Sequence, residues 1–325
     1  MKEKIPAIFY LDNSSRTMEQ VRRKLALEEG TQIKHLTDFP ARRDFANWTD
    51  VVARRQEERK ELLDIPDKVA VEIRSRSPFL LSIFGDVHAG AEQFNARRFA
   101  EDVRATKEAE GYSMALGDLV DAYFFNPGEN EQILNNEEQI LYMRSALDEL
   151  AEDNKLIAGW AGDHCTWQAD KMGSRTLYHR FEEEYGAHYL EGISNVTIKV
   201  NDGEDEIDYK IVGNHKGRGH SIYHPTHSPL RQEFSARGCD VSVTAHSHEK
   251  GHLRKVIPDF DGEERVVDYL SLGAYKESDR YGRKQGFKRV GEEGQGGFGL
   301  ILHPRQKEVE VHWTIGGAVK KLLGK

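Results

Sequence analysis

The sequence predicts an α/β domain with a parallel or mixed β-sheet, preceded by a helical N-terminal segment. From residue 78 onward, short apolar segments of strand length alternate with longer segments of helix length, which is typical of α/β proteins. In addition, Asp and His residues follow several of the apolar segments directly. These observations divide the chain into a helical segment at residues 1–77 and an α/β domain at residues 78–325.

Two helices are predicted in the N-terminal segment. Residues 14–30 begin with a Ser/Thr cap and end at a Gly, and residues 49–64 follow a polar stretch. Arg-rich faces on these helices are compatible with binding of DNA or of a protein partner. Exposed Arg/Glu helices are common, however, so a solvated helical arm is the preferred interpretation.

The predicted elements of the α/β domain follow from the apolar pattern. Helices are expected near residues 93–110 and 130–152. The predicted strands are, in chain order, 78–84, 112–116, 155–161, 208–212, 240–245, 266–272 and two closing strands near 299–314. A glycine-rich string at 294–299 has the spacing G-x-G-x-x-G, but it leads into a strand-like segment without a helix. It is therefore interpreted as a loop and not as a nucleotide-binding motif.

Composition excludes several classes of protein. With 38% hydrophobic and 31% charged residues, the 325-residue chain can form one large core or two smaller ones. The longest apolar run, at 78–84, is too short to cross a bilayer, and the first residues lack the apolar region of a signal peptide. Two cysteines, Cys165 and Cys239, cannot form a disulfide framework or a four-cysteine zinc site. We therefore expect a cytoplasmic protein.

The charge distribution argues against a protein that coats nucleic acid. The net charge is −9, whereas non-specific binding depends on Lys and Arg that neutralise phosphates. Residues 1–77 contain 16 Lys and Arg against 14 Asp and Glu, so the negative charge resides in the α/β domain.

Four polar motifs follow predicted strands. Asp86 and His88 are two residues apart, as are His246 and His248, and in an extended strand end such pairs point to the same side. Gly117-Asp118-Leu119-Val120-Asp121 and Gly162-Asp163-His164 follow two further strands. Each motif alone has a simpler interpretation as a surface turn or a helix N-cap. Their shared position after apolar strands favours a metal site.

Taken in chain order, the motifs resemble those of the calcineurin-like metallophosphoesterases. The motifs of that family are Gly-Asp-x-His, Gly-Asp-x-x-Asp, Gly-Asn-His, a single His, and Gly-His-x-His. The resemblance covers residues 78 to about 315. It implies a sandwich of two mixed β-sheets flanked by helices, with two divalent metals at the strand ends. Residues 268–287 also resemble the variants encoded by bacteriophages and prophages.

Two tripeptides compete for the third motif. Gly213-Asn214-His215 matches the family letters, but it would leave Gly162-Asp163-His164 without a role. Placing the latter third agrees better with the order and spacing, and it leaves His215 as the single His, 31 residues before His246. We prefer this second assignment, in which Asn214 is not a ligand.

The resemblance then implies a role for each matching residue. The implied roles are Asp86, His88 and His248 for the first metal, Asp163, His215 and His246 for the second, Asp118 bridging both, His164 facing the substrate, and Asp121 orienting a ligand. Carboxylate and imidazole ligands suit Mn²⁺, with Fe or Zn²⁺ as alternatives. The implied reaction is hydrolysis of a phosphodiester or phosphomonoester by a metal-bridging hydroxide, which includes nuclease activity. His220, in a His-rich segment after His215, is a further candidate for substrate binding.

Three positions depart from the family pattern. Asp163 replaces an asparagine and adds a negative charge beside the substrate, so we expect tighter metal binding and weaker phosphate binding. The result would be either a slower enzyme or one that prefers substrates of lower charge, such as diesters. Ala245 replaces a glycine. Ala122-Tyr123 replaces the usual polar residue and glycine after Asp121.

Smaller features and the alternative functions complete the predictions. Trp160 and Trp167 are expected to pack, with substrate contact as an alternative for Trp167, and Cys165 is expected to be a small buried residue. Besides a hydrolase, two alternatives remain open. One is a weakly active metal-binding scaffold that binds DNA or a protein through residues 1–77, and the other is a helical DNA-binding module that carries a phosphoesterase domain.

Overall fold

The computed structural model divides the chain into two units. They are Met1–Asp64 and Ile65–Lys325. The described residues are 49–54, 66–123, 131–166, 179–219, 221, 223–258, 262, 264–277 and 291–325. Residues 49–54 are helical, in agreement with the prediction for 49–64, while the helix predicted at 14–30 lies outside the described residues.

The described part of the second unit contains twelve strands and five α-helices. The strands are β1 (Lys68–Arg74), β2 (Phe79–Phe84), β3 (Tyr112–Leu116), β4 (Leu156–Trp160), β5 (His188–Leu190), β6 (Ser194–Asn201), β7 (Glu206–Asn214), β8 (Val241–Thr244), β9 (Gly251–Pro258), β10 (Glu264–Ser271), β11 (Phe298–Leu302) and β12 (Val309–His312). The helices are α1 (Ala96–Glu108), α2 (Asn136–Ala151), α3 (His179–Glu184), α4 (His227–Glu233) and α5 (Ile315–Leu323).

The strands form two six-stranded mixed sheets. One sheet has the order β1-β6-β7-β8-β10-β9, and the other has the order β12-β11-β2-β3-β4-β5. In the first sheet β7, β8 and β10 are parallel, and in the second β2, β3, β4 and β5 are parallel. This architecture confirms the predicted α/β fold of two mixed sheets flanked by helices.

The main core lies between the two sheets. Leu81, Met114 and Trp160 of one sheet belong to the same buried cluster as Ile211 and Val243 of the other. Helices α1 and α2 pack on the outer face of the second sheet, and α4 packs on the outer face of the first. Because the core fixes both sheets, it also fixes the loops that leave their ends.

Several elements differ from the sequence-based expectations. Lys68–Arg74, in the segment predicted to be helical, is a strand that pairs in parallel with β6 along its whole length and lies in the second unit. The sequence pattern also does not predict the helices α3, α4 and α5 or the strands β5, β6 and β9. Strand β6 alternates buried and half-buried residues, which is the pattern of a strand with one exposed face. Because polar residues interrupt it, it contains no continuous apolar run of the kind that predicts a buried strand.

No helix in the part of the chain that the structure describes is both long and apolar enough to cross a membrane.

Candidate metal centre

The Asp and His motifs lie in loops at the carboxyl ends of parallel strands. The loops after β2 and β3 continue the backbone pairing beyond the strands, since His88 N donates to Asp118 O at 2.9 Å and Asp121 N donates to Ala89 O at 3.1 Å. The loop after β8 joins them, because His246 N donates to Asp86 Oδ2 at 2.7 Å. Hydrogen bonds within the protein therefore hold these turns against one another.

The backbone is left-handed at most of the predicted ligands. The φ angles are 47° at Asp86, 50° at His88, 47° at Asp118, 68° at His246 and 59° at His248. Residues other than glycine rarely adopt this conformation, and when they do the strained positions cluster at functional sites. The strain is thus a second indication, independent of residue type, that these turns are built for a purpose.

Two glycines of the Gly-Asp motifs are required by close packing. A Cβ atom on Gly162 would lie 2.1 Å from Asp118 N, and one on Gly117 would lie 2.3 Å from His215 Nδ1. Neither position accommodates a side chain. The glycine before each aspartate therefore lets neighbouring loops approach closely enough for their side chains to meet.

One group of potential ligands consists of Asp86, His88 and His248. The Nε2 atoms of His88 and His248 are 3.1 Å apart, and His248 Nε2 is 3.8 Å from Asp86 Oδ1. Asp86 and His88 are buried. These three residues are those that the family resemblance implies for the first metal.

A second group consists of Asp118, His215 and His246. His215 Nε2 lies 3.1 Å from Asp118 Oδ2, while Nδ1 of the same ring donates to Leu116 O at 2.9 Å. Asp118 also belongs to a third group with His88 and His164. Asp118 therefore shares one group with His88 and another with His215 and His246, which is compatible with the bridging role that the family resemblance implies.

The donor atoms of these groups fit divalent cations. Asp86 Oδ1 is buried and has no hydrogen-bond partner. Buried polar atoms are normally paired, so each such atom needs an explanation, and a metal ion supplies one. Carboxylate oxygen and imidazole nitrogen are also the ligand types that Mn²⁺, Fe and Zn²⁺ accept.

Burial and mutual charge shift the pKa values of the ligands. Burial lowers the pKa of both His88 and His246 to about 4, which keeps these rings neutral and able to bind a cation. Burial raises the pKa of Asp86. His215 behaves differently: although burial opposes its charged form, the Asp118 carboxylate raises its pKa to about 10.

Asp121 is held between His88 and a lysine that the sequence did not suggest. Asp121 Oδ1 accepts from His88 Nδ1 at 3.0 Å and from Lys276 Nζ at 2.8 Å, and all three side chains are buried. Because Nδ1 of His88 is engaged, Nε2 is the nitrogen presented to His248. Lys276 lies in the loop after β10, a strand parallel to β8. Its position after an apolar strand, like that of the Asp and His motifs, is the one sequence signal that points to it.

His164 lies against the same group. Its backbone N–H donates to Asp118 Oδ1 at 2.8 Å, and its Nδ1 is hydrogen-bonded to the carbonyl oxygen of Asp121. The ring packs edge-on against His88 and Tyr123, with centroids 4.7 and 4.9 Å away. The structure thus brings His164 to the centre, where its position is compatible with either a ligand or a substrate-facing group.

Asp163 lies at the rim and differs from the other predicted ligands. It belongs to none of the three groups, and its Oδ2 accepts from Lys216 Nζ at 2.9 Å and lies 3.8 Å from His246 Nδ1. Asn214, from the competing tripeptide, donates its amide to Lys216 O at 2.9 Å.

The remaining sequence-based expectations have mixed outcomes. Trp160 and Cys165 are buried, which confirms them as packing residues. The glycine string at 294–299 leads into β11 and not into a helix, which confirms its interpretation as a loop. His220 and Trp167 lie outside the described residues.

Fold and site together define an α/β protein with a candidate centre of Asp and His ligands for divalent metals. No protein-family model matches the sequence, and no curated protein matches it either. Among solved structures, a metallophosphoesterase from Sphaerobacter thermophilus is similar at 15% sequence identity, with a TM-score of 0.35 over 72% of this chain and 87% of that one. GAP50, the anchor in the inner membrane complex of Plasmodium, is similar at 9% identity, with a TM-score of 0.36 over 73% and 88%. Because both TM-scores are low, the function must be inferred from the geometry of the site itself.

Proposed function

We propose that this protein is a metal-dependent phosphoric ester hydrolase that acts on phosphodiesters or phosphomonoesters. The observation that carries the proposal is the pair of Asp/His groups, which the group of His88, Asp118 and His164 links. In addition, a buried carboxylate oxygen of Asp86 lacks a hydrogen-bond partner. Two divalent ions close together are a common device for phosphoester hydrolysis.

The first ion would be held by Asp86, His88 and His248. The residues for the second would be His215 and His246, together with Asp118 between the two ions and Asp163 at the rim. We propose Mn²⁺ as the metal, with Fe or Zn²⁺ as alternatives. Two bound ions would supply an activated water and offset the negative charge of the phosphoryl oxygens.

The protein residues around the centre have separate tasks. Asp121 fixes the tautomer and orientation of His88 through the hydrogen bond to Nδ1. His164 is fixed in the same way by the Asp121 carbonyl oxygen at Nδ1, so Nε2 is the atom that would exchange a proton with the leaving oxygen of the ester.

A metal-binding scaffold without turnover is the second candidate. The observation that favours it is the ion pair between Asp163 and Lys216, because a carboxylate engaged by an ammonium is a weaker ligand than a free one. Nucleic-acid binding through residues 1–77, a cytoplasmic location and the resemblance to phage-encoded proteins stay predictions.

Hydrolysis of an aryl phosphodiester and of the matching monoester, with Mn²⁺ and then with a chelator, tests the proposal. We expect chelator-sensitive turnover that His88→Ala abolishes. His303→Ala is the matched control, since His303 pairs with Glu310 outside the centre and its loss should leave turnover unchanged. Including single- and double-stranded DNA as substrates tests the nuclease form of the activity. Two bound ions without turnover would favour the scaffold instead.

A further inference from the structure

The ion pair between Asp163 and Lys216 lies at the mouth of the candidate centre. Lys216 directly follows His215, and its Nζ donates to Asp163 Oδ2 at 2.9 Å. The same oxygen is 3.8 Å from His246 Nδ1, so the pair adjoins the second group of ligands. The side chains of Asp163 and Lys216 are 31% and 55% exposed, which leaves both accessible to a ligand that arrives from solvent.

The pair changes the charge that a substrate would meet. Asp163 adds one negative charge to those of Asp86 and Asp118, and this extra charge alone predicts weak binding of phosphate. The ammonium of Lys216 cancels it. The pair of Asp163 and Lys216 therefore has no net charge. Its positive group belongs to Lys216, the more exposed of the two side chains.

We propose that Lys216 is a specificity-determining residue that attracts the phosphoryl oxygens of the ester and favours dianionic monoesters over monoanionic diesters. The inference rests on the proposed hydrolase function. It also reverses the preference for diesters that Asp163 predicts when it is considered alone. An ammonium on a flexible stem can leave Asp163 and follow an incoming phosphate, since Lys binds phosphate as a mobile point charge.

An ordinary surface ion pair is the alternative. Exposed pairs contribute little to stability, and many have no function. Lys199 and Glu206 form such a pair at 3.8 Å on strands β6 and β7, with side chains that are 37% and 49% exposed. Lys199→Met therefore removes the same charge outside the centre and serves as the matched control.

The test is a double-mutant cycle on Lys216→Met and Asp163→Asn, with inorganic phosphate as the ligand of the Mn²⁺-saturated protein. We expect Lys216→Met to weaken phosphate binding about fivefold, as expected for one exposed charge, and Asp163→Asn to strengthen it by a similar factor. The double variant should return close to wild type, because its net charge is the same. Calorimetry measures the phosphate affinity, and a Mn²⁺ titration of each variant checks that the metal content is unchanged.

Substrate preference is the second measurement. Lys216→Met should lower kcat/KM for the aryl monoester more than for the diester, and Lys216→Arg should restore part of the difference. Unchanged phosphate affinity and an unchanged monoester-to-diester ratio in Lys216→Met would overturn the inference while leaving the hydrolase proposal intact. Absence of turnover in the wild type would overturn the hydrolase proposal, and the phosphate titration would still decide the charge role of Lys216. A wild type that binds no Mn²⁺ would overturn both.

Discussion

Replacement of Lys276 by Met removes an ammonium group from the interior of the protein. Lys276 and Asp121 side chains are 5% and 1% exposed, and Nζ lies 2.8 Å from Oδ1. The same oxygen accepts from His88 Nδ1 at 3.0 Å. The variant would therefore keep a buried carboxylate that has lost its cationic partner, a situation that is strongly destabilising.

The size of the effect follows from the pKa of Asp121. Although burial opposes ionisation, the hydrogen bonds from His88 and Lys276 lower this pKa from 3.8 to about 2. The shift corresponds to roughly 2–3 kcal/mol of stability in the ionised form, which His88 and Lys276 contribute together. Removing one member of a buried pair has a typical cost of about 3–5 kcal/mol. We expect Lys276→Met to lose about 2–4 kcal/mol of unfolding free energy at pH 7.

The pH dependence has a defined sign. A carboxyl whose pKa is lowered by folding contributes stability that is present above its unfolded pKa and is lost as the pH falls through the folded one. The stability that ionised Asp121 contributes to the wild type should therefore be constant above about pH 4 and shrink as the pH falls from 4 towards 2, so the variant should lose less stability relative to wild type at pH 3 than at pH 7.

Urea unfolding of the chelator-treated protein measures the difference at pH 7 and at pH 3. Lys155→Met is the matched control, because Lys155 is 3.9 Å from Glu110, whose side chain is 86% exposed, and its loss should change the unfolding free energy by less than about 1 kcal/mol. An unchanged urea midpoint and slope for Lys276→Met at pH 7 would refute the reasoning. A Mn²⁺ titration adds a functional reading, since loss of the group that fixes Asp121 should weaken metal affinity by roughly tenfold or more.

Three further predictions address the centre directly. Because the pKa of His215 is raised to about 10, this ring is protonated at pH 8 and must release its proton when a metal binds. Calorimetry of Mn²⁺ binding in two buffers of different ionisation enthalpy should therefore report the release of close to one proton. Binding heats that do not depend on the buffer would contradict this prediction. Gly162→Ala should abolish tight Mn²⁺ binding, because its Cβ would lie 2.1 Å from Asp118 N. Gly316→Ala is the control in helix α5, where a Cβ would have no heavy atom within 4 Å. This control should raise the unfolding free energy by roughly 0.5–1 kcal/mol in the urea assay. His164→Ala should lower kcat while two Mn²⁺ ions remain bound, and loss of one ion would show that His164 is a ligand and not a proton donor.

The candidate ligands could be predicted because their signal is local. A strand end places residues two apart on one side, so the spacings of Asp86 with His88 and of His246 with His248 are informative without knowledge of the fold. The apolar runs that precede them are equally local, and they became the central strands β2 and β8. Comparison of the motif order with the pattern of the family that the sequence resembles favours His215 as the single His, and the structure places its Nε2 3.1 Å from Asp118 Oδ2.

The charge partners of these residues could not be predicted in the same way. Lys276 is 155 positions from Asp121, and Lys216 is 53 positions from Asp163, so only the topology of two different sheets reveals either pair. Strand β9 is not predicted for a related reason, since its position depends on a distant partner. It is an edge strand whose residues are mostly exposed, and its register is set by pairing with β10. Long-range pairing and solvent-facing edges leave little trace in a local apolar pattern.

The strained backbone of the centre connects the fold to its chemistry. Left-handed conformations at non-glycine residues are unfavourable by roughly 1–3 kcal/mol each, and they persist only where the surrounding structure enforces them. Here Asp86 N donates to Gly117 O and Tyr275 N donates to Asp86 O, so the turn after β2 is held from both sides by turns that follow β3 and β10. The sandwich core that stabilises those strands thereby offsets the strain, and the ligand atoms are oriented by the fold itself. A site whose backbone is fixed in this way requires little ordering when it binds a cation, which is the physical basis of a preorganised metal centre.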